Sequence, residues 1–215
     1  MTDQLAPTER TKVRRLPDRG RYDAETIHAI IDEAYVAHVG FVVDGQPRVL
    51  PMTYGRDGAV LYLHGAVGNA MLRASGDADV CVTFTLLDGL VLARSAFHHS
   101  MNYRSAVVLG VATRVDDDAA KDHAFDVIVD HVVPGRSQVA RPTTDAERRK
   151  TTVLRLPITE ASAKVRTGDA IDDEEDLGLD VWAGVVPLRL TPAAPVANQD
   201  LTVDVAPPTP ELFSR

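Results

Sequence analysis

The chain has 215 residues, of which 45% are hydrophobic, and its 23 Lys and Arg against 31 Asp and Glu give a formal net charge of −8. This length and composition predict a single domain with tails around one core. The acidic balance argues against a nucleic-acid-binding protein, which normally presents a basic face. An anionic cofactor stays open, because local charges and backbone donors decide such binding.

Cys81 is the single cysteine, so neither an internal disulfide nor a cysteine zinc site can form. One thiol fits a reducing compartment. The first residues lack the apolar core of a signal peptide, and no apolar run reaches about 18 residues. The sequence therefore predicts a cytoplasmic protein with no membrane partner and no nucleic-acid partner.

Residues 1–22 are polar and carry a cluster of arginines, which predicts a flexible or surface-packed arm. Apolar positions predict helices at residues 24–34, with Asp23 as the N-cap, and at 66–75 and 118–131. Residues 145–150 are predicted to form a short polar helix. Apolar or alternating stretches predict strands at residues 37–43, 48–54, 59–63, 79–87, 90–95, 105–115, 152–157 and 161–166.

Asp-Gly pairs at residues 44–45, 57–58 and 88–89 predict tight hairpin turns between these strands. Pro51 cannot donate to a strand ladder, so its strand is predicted to lie at a sheet edge or to face a ligand. Antiparallel hairpins in series, interrupted by helices, predict a mainly β, α+β fold built as a small barrel with flanking helices.

The last 47 residues differ from the rest. Residues 169–180 hold seven carboxylates among twelve residues, which predicts a solvated loop. Trp182 then begins an apolar extended segment, and the tail from Thr191 holds five prolines without a helical period. We expect this segment to pack on the barrel or on a partner subunit, or to be disordered.

A polar cluster opens the strand predicted at 105–115. It reads Asn102, Tyr103, Arg104 and Ser105. Arginine followed by a hydroxyl offers planar donors and a further hydrogen bond, which suit a phosphate dianion. An ordinary polar turn with Arg104 in a surface ion pair is an equally simple interpretation of this cluster alone.

A strand, a turn and a helix follow one another in LYLHGAVGNAMLRAS, residues 61–75. We predict that His64 and Gly65 form the turn. The start of a helix leaves backbone N–H groups free, which makes it a natural place for an anion.

Three stretches in this order, QPRVLPMTY, LYLHGAVGNAML and NYRSAVVLG, make the chain similar to the split β-barrel proteins related to pyridoxamine 5′-phosphate oxidase. The branch that it resembles contains the nitroimidazole reductases, and the resemblance spans about residues 27–168. It implies an antiparallel split β-barrel at residues 23–168, a homodimer, and FMN bound between the subunits.

The resemblance also implies the residues of the site. The ring would lie against Leu50, Pro51, Met52 and Thr53, with His64 and Gly65 beside it, and Arg104 and Ser105 would bind the phosphate. Tyr103 and Trp182 complete the cofactor-binding candidates, although tryptophan more often anchors a core or a dimer interface.

Asn69 departs from the pattern of the oxidases, which place a basic residue in this turn. Asn69 donates a hydrogen bond but adds no charge, so either flavin affinity is lower or Arg48 or Arg73 compensates. The oxidases' C-terminal arginine-histidine substrate motif has no clear counterpart, which argues against pyridoxamine phosphate as the substrate.

His64 is the candidate catalytic residue, with a histidine that only packs in the cleft as the alternative. No ligand spacing typical of a metal site is found. The resemblance implies a flavin-dependent oxidoreductase that takes electrons from a donor such as NAD(P)H and reduces a small organic acceptor. The alternative is a haem-binding or non-catalytic flavin-binding protein, a carrier or sensor, because related split barrels also host haem.

Overall fold

The computed structural model describes residues 4–69, 72 and 78–213. Within this part of the chain, ten strands form one antiparallel sheet. The strands are β1 (Gly20–Arg21), β2 (Ala37–Val43), β3 (Gln46–Met52), β4 (Tyr54–Asp57), β5 (Val60–Ala66), β6 (Ala78–Leu92), β7 (Ser100–Arg114), β8 (Thr151–Pro157), β9 (Glu160–Arg166) and β10 (Gly184–Pro187). The α-helices are α1 (Ala24–Glu33), α2 (Asp118–Val132) and α3 (Asp145–Lys150).

The strands follow the order β3-β2-β6-β7-β8-β5-β4. Strand β9 also pairs with β7, β1 pairs with β9, and β10 pairs with β6. The long strand β7 joins two parts of the sheet, because it pairs with β9 along residues 103–109 and with β8 only at Thr113 and Arg114. The described sheet stays open between β3 and β4. The fold is thus mainly β and consistent with the predicted split barrel.

Helix α1 begins as predicted. The carboxylate of Asp23 accepts a hydrogen bond from the backbone N–H of Thr26 at 2.8 Å, which satisfies one of the unpaired donors of the first turn. Ile27, Ile30 and Ile31 face the core, as their spacing requires.

Tyr54 connects α1 to the barrel. Its fully buried hydroxyl donates to the backbone carbonyl of Ala34 at 2.6 Å and also to that of Ile31. Its ring meets the Phe84 ring edge-on, with centroids 4.8 Å apart. These contacts fix the end of α1 against β4 and β6. The largest fully buried side chains are those of Tyr54, Phe84, Ile27, Ile30, Ile31, Leu61, Leu63, Leu72, Leu154, Leu156 and Val39.

The predicted hairpin at Asp88-Gly89 is wrong. Strand β6 runs through these residues, and the register with β7 shifts between Leu87 and Gly89, as in a β-bulge. A Cβ at Gly89 would lie 3.0 Å from Val185 Cγ1 and 3.1 Å from the carbonyl oxygen of Val186. This glycine therefore serves the close approach of β10 rather than a turn.

The start of β7 also differs from the prediction. The strand begins at Ser100, so the polar residues 102–105 lie within it and pair with β6. In α2, Ala124 and Ile128 are the buried residues, and Ala120 is exposed.

The predicted helix at 66–75 lies largely outside the described residues. Ala66 is the last residue of β5 and residues 67–68 form a turn, so the predicted start at Ala66 is wrong. Leu72, which is described, is helical and fully buried.

The two ends of the chain pack on the barrel. In the N-terminal arm, Arg10 forms ion pairs with Glu160 and Asp79. In the acidic loop, Asp172 pairs with Arg94 at 2.7 Å. The tail after β10 is extended and exposed, and the hydroxyl of Tyr35 donates to the carbonyl oxygen of Phe213 at 3.2 Å. Among the described helices, none is long and apolar enough to cross a membrane.

Candidate functional site

Strand β3, at an edge of the sheet, carries four of the predicted cofactor-binding residues, and a fifth, Thr53, directly follows it. Its partner is β2, with Pro51 opposite His38. The edge position predicted from Pro51 is confirmed, since β3 ends the strand order. Arg48, Leu50, Pro51 and Thr53 are exposed, and Met52 is partly buried.

His64 and Gly65 lie in β5, opposite Val153 and Thr152 of β8. Their prediction as a turn is wrong, because pairing with β8 continues as far as Ala66. The turn comes immediately afterwards, where the N–H of Asn69 donates to the carbonyl oxygen of Ala66 at 2.8 Å.

The junction of β3 and β4 meets the end of β5. Tyr54 is opposite Leu63 in the β4–β5 pair, so the preceding residue, Thr53, reaches the position beside His64. The two predicted ring-binding stretches, residues 50–53 and 64–65, thus approach each other at Thr53 and His64. We call this group of residues the edge site.

The His64 imidazole can act as a hydrogen-bond acceptor. Its Nδ1 atom is buried and has no hydrogen-bond partner among the described residues. Burial lowers the pKa of His64, so the ring is neutral at physiological pH. A neutral imidazole can accept a hydrogen bond from a ligand or ligate an iron. An unsatisfied buried nitrogen is costly, which favours a ligand at this position.

Gly65 has a packing role within the edge site. A Cβ there would lie 2.7 Å from Leu72 Cδ1 and 3.4 Å from Asn69 Nδ2. The missing side chain lets the segment after β5 fold back over the strand. Asn69, predicted in place of a basic residue, is partly buried here and has an interaction partner.

Arg104 is not part of the edge site and lies between two carboxylates. Its guanidinium donates to Glu33 at the end of α1, at 2.7 Å and through a second bond, and to Asp88 at 2.8 and 3.0 Å. These hydrogen bonds raise the pKa of Arg104 above its ordinary value, and those to Glu33 contribute more than those to Asp88. Two carboxylates around one guanidinium leave this cluster with a net negative charge, which does not attract a phosphate.

The same cluster lines a cavity of about 870 Å³. Its lining also includes residues 187–192 and Phe213 of the C-terminal segment, Tyr35 and residues 85–88. The sequence pointed to Arg104 but not to Glu33, Tyr35 or Asp88. The one available signal was the general need of a half-buried arginine for counter-ions, and it does not say which acids supply them.

Arg104 and Ser105 do not face the same way. Neighbouring side chains of a strand point to opposite faces of a sheet. Arg104 contacts α1, whereas the Ser105 hydroxyl donates to the backbone carbonyl of Lys164 at 3.3 Å. Tyr103 shares the face of Ser105. The predicted pair is therefore divided between the two faces of β7.

The Arg104 cluster and the edge site approach each other through the end of α1. Glu33, which binds Arg104, is followed by Ala34, whose carbonyl oxygen accepts from the hydroxyl of Tyr54, the residue after Thr53. Trp182 lies in a third region, before β10, and 64% of its surface is exposed.

The family model described as pyridoxamine 5′-phosphate oxidase matches residues 23–165 of the chain. The chain is similar to the flavocytochrome Anf3 from Azotobacter vinelandii, at 41% identity and a TM-score of 0.90 over 98% of this chain and 98% of that chain. No curated protein matches the chain.

Two further solved structures are similar to the chain. The FAD and haem binding protein from Mycobacterium smegmatis is 35% identical, with a TM-score of 0.85 over 90% of this chain and 95% of that chain. A nitroimidazole antibiotic resistance protein from Bacteroides thetaiotaomicron is 29% identical, with a TM-score of 0.58 over 68% of this chain and 86% of that chain. The first two similarities extend beyond the barrel into the C-terminal segment.

Proposed function

Because this chain belongs to the pyridoxamine 5′-phosphate oxidase family, we propose that it binds a flavin at the edge site and is a flavin-dependent oxidoreductase. The observation that carries the proposal is the meeting of residues 50–53 with His64 and Gly65. The similarity to a flavocytochrome over 98% of both chains supports it.

The edge site suits a flat, polar heterocycle. An edge strand offers backbone N–H and C=O groups on its unpaired side, and Leu50 and Met52 supply apolar contact. The neutral His64, on the neighbouring strand β5, adds an acceptor nitrogen. A bound flavin would supply the electron transfer, and the protein would hold and orient its ring.

For the phosphate end, the structure favours Arg48 over Arg104. Arg48 is exposed on β3 and has no ion pair among the described residues, whereas Glu33 and Asp88 occupy Arg104. It lies five residues before Thr53, about 16 Å along the strand. Arg48 is thus well placed to supply the charge that Asn69 lacks.

FMN is the flavin expected from the sequence, and FAD is the alternative because the M. smegmatis neighbour binds FAD. A cofactor-free preparation titrated in parallel with FMN, FAD and riboflavin decides between them. Tighter binding of FMN supports the phosphate as the terminal group, and tighter binding of FAD replaces FMN in the proposal.

His64 would act next to the ring. The Nδ1 atom of a neutral imidazole can accept a hydrogen bond from a donor group of the reduced flavin ring or of the organic electron acceptor. The proposed reaction takes electrons from NAD(P)H or another donor and reduces a small organic acceptor. Turnover of NAD(P)H by the flavin-loaded protein tests this, and a protein that binds flavin without turnover is a carrier or sensor.

Haem binding is a second candidate function. Two neighbours that match at least 90% of the chain are a flavocytochrome and a FAD and haem binding protein. His64 has the chemistry of an axial ligand, whereas His98 bonds to Asp173 and His99 to the carbonyl oxygen of Ser95. Haem added to the purified protein should give the sharp bands of a histidine-ligated iron, and these should be lost in His64→Ala.

A homodimer is part of the proposal. The exposed edge of β3 and the extended tail leave surface that a second copy would cover. Light scattering of the flavin-loaded protein at micromolar concentration tests it. A mass of 23.3 kDa would contradict it, and twice that mass would support it.

A further inference from the structure

Arg166, the last residue of β9, is a buried cation without a counter-ion in the described part of the chain. Only 6% of its surface is exposed. Its guanidinium donates to the carbonyl oxygen of Gly168 at 3.3 Å, to that of Asp169 at 3.1 Å and to the side-chain oxygen of Asn102. All three acceptors are neutral. A buried charge that meets no opposite charge is costly, so this arrangement favours an anion from outside the chain.

The Nε atom of Arg166 is unsatisfied as well. It is buried and has no hydrogen-bond partner among the described residues. Buried polar atoms are normally paired with protein atoms, with water or with a ligand. Burial, and then the nearby charge of Arg19, lowers the pKa of Arg166, as expected where no negative charge is close, and the side chain stays a cation. The guanidinium therefore has an unused donor and an uncompensated charge.

Two further cations lie beside Arg166. Lys164 precedes it by two residues on β9, so the two side chains point to the same face of the sheet. Arg19 lies directly before β1, in which Gly20 is opposite Lys164. Lys164 and Arg19 are partly buried, and neither forms an ion pair with a described residue. We call Arg19, Lys164 and Arg166 the cation cluster.

The acidic residues next to the cation cluster in sequence do not neutralise it. Asp18 and Asp169 are both exposed, and the carboxylate of neither forms an ion pair with a described residue. Asp169 meets Arg166 only through its backbone carbonyl, and the backbone carbonyl of Asp18 accepts from Arg21. Water screens charges of exposed carboxylates. The cation cluster therefore keeps a positive charge.

Strand β7 adds hydroxyl groups to the same face. Tyr103 is opposite Arg166 and Ser105 is opposite Lys164 in the β7–β9 pair, and directly opposite residues share a face of the sheet. Tyr103 and Ser105 are both partly buried. A hydroxyl can turn its hydrogen toward an anion. The cation cluster thus has neutral donors beside it.

From this arrangement we propose that the cation cluster binds a phosphate group, with Tyr103 as an additional hydrogen-bond donor. Guanidinium and ammonium groups form charge-assisted hydrogen bonds with phosphate oxygens, and a dianion offsets more of the cluster's charge than a single carboxylate does. The group belongs either to the free ion or to a nucleotide. This site uses β7 and β9, whereas the edge site uses β3 and β5, so the inference does not depend on the flavin proposal.

Titration of the purified protein with sodium phosphate, after dialysis into phosphate-free buffer, tests the proposal. Phosphate should raise the melting temperature in a saturable way and by more than sodium chloride at equal ionic strength, because a ligand of the native state stabilises it. In Arg19→Ser/Lys164→Ser the dissociation constant for phosphate, measured by calorimetry, should rise at least about tenfold. Arg149→Ser/Lys150→Ser, which removes the same two charges from exposed positions of α3, should bind phosphate like the wild type.

Arg166→Gln tests the buried cation itself and should abolish the response to phosphate. If this variant does not fold, the double variant decides, because Arg19 and Lys164 are only partly buried. A phosphate effect no larger than that of chloride, or equal in the wild type and in the double variant, would overturn the proposal.

NADP⁺ and NAD⁺, which differ by one phosphate, separate the two sources of the group. Tighter binding of NADP⁺ that is lost in the double variant assigns the site to a nucleotide, whereas equal binding of both together with binding of inorganic phosphate assigns it to the free ion. Phosphate binding by a chain that takes up no flavin counts against the proposed function alone. Flavin uptake without any specific phosphate effect counts against this site alone.

Discussion

Arg104 and Asp88 form a two-point contact, in which the guanidinium donates at 3.0 and 2.8 Å to the two oxygens of one carboxylate. The contact joins the middle of β7 to the bulge of β6. Glu33 at the end of α1 completes the cluster. An arginine held in this way joins three elements, and we propose that its role is to stabilise their contact.

Replacing Arg104 should therefore affect stability rather than phosphate recognition. In Arg104→Met, Glu33 and Asp88 face each other without a cation, and we expect the free energy of unfolding to fall by about 1–3 kcal/mol. FMN and riboflavin affinities should change to the same extent. Chemical denaturation and flavin titration measure the two effects, and a loss confined to FMN would restore Arg104 as a phosphate ligand.

Arg48 should give the opposite result. If it pairs with the phosphate, Arg48→Ala weakens FMN binding by about 1.5–3 kcal/mol, the usual contribution of a charged hydrogen bond. Riboflavin, which has no phosphate, should bind as before, and stability should hardly change because Arg48 is exposed. Fluorescence titration with both ligands is the measurement. Equal affinities of the variant and the wild type for FMN would exclude Arg48.

His64 should matter for reaction rather than for retention of the flavin. We expect His64→Ala to keep the flavin bound and to slow reoxidation by an organic acceptor, because the buried hydrogen-bonding nitrogen Nδ1 is lost. His99→Ala, an exposed histidine directly before β7, is the matched control. Stopped-flow reoxidation per bound flavin decides: an unchanged rate would make His64 a packing residue.

The pH dependence of this step follows from the burial of His64. Burial lowers the pKa of the ring, so protonation favours the unfolded state and the imidazole stays neutral at and above its ordinary pKa. The rate of reoxidation should therefore show no titration of His64 from neutral pH upward. Its contribution should be lost only as pH falls through the lowered pKa. A transition in the neutral range that disappears in His64→Ala would contradict this.

Gly55 tests the packing of α2 on the barrel. A Cβ there would lie 2.7 Å from the carbonyl oxygen of Val127 and 2.8 Å from the backbone nitrogen of Ile128. Backbone atoms cannot move aside, so Gly55→Ala should lower the free energy of unfolding by at least about 1–3 kcal/mol. At Gly68 no atom lies within 4 Å of the added Cβ, so Gly68→Ala should melt like the wild type. Similar melting temperatures for both variants would show that the α2 contact is looser than described.

Much of the fold could be predicted from local patterns. The Asp23 cap, the edge position of Pro51 and the buried alternation of Val80, Val82 and Phe84 depend on residues close in sequence. The Asp88-Gly89 turn failed because the same dipeptide also serves a bulge, and only the approach of β10 distinguishes the two.

The site was harder to predict because residues that are distant in sequence form it. Glu33 and Arg104 are 71 residues apart in sequence, and no local signal indicates that α1 will bring a carboxylate to β7. The assignment of His64 to a turn failed because pairing with β8, which comes almost ninety residues later, extends β5. The meeting of residues 50–53 with His64, by contrast, follows from one hairpin and was within reach of the sequence.

The most direct test of the central proposal is the visible spectrum of the purified protein before and after addition of FMN and FAD. A protein that binds flavin at the edge site is yellow as purified or after reconstitution, with equimolar flavin retained through gel filtration. Pro51→Lys and Thr53→Arg, which would crowd the edge site, should reduce that retention without lowering the melting temperature. A wild-type protein that stays colourless, with no spectral change and no heat of binding for either flavin, would contradict the account.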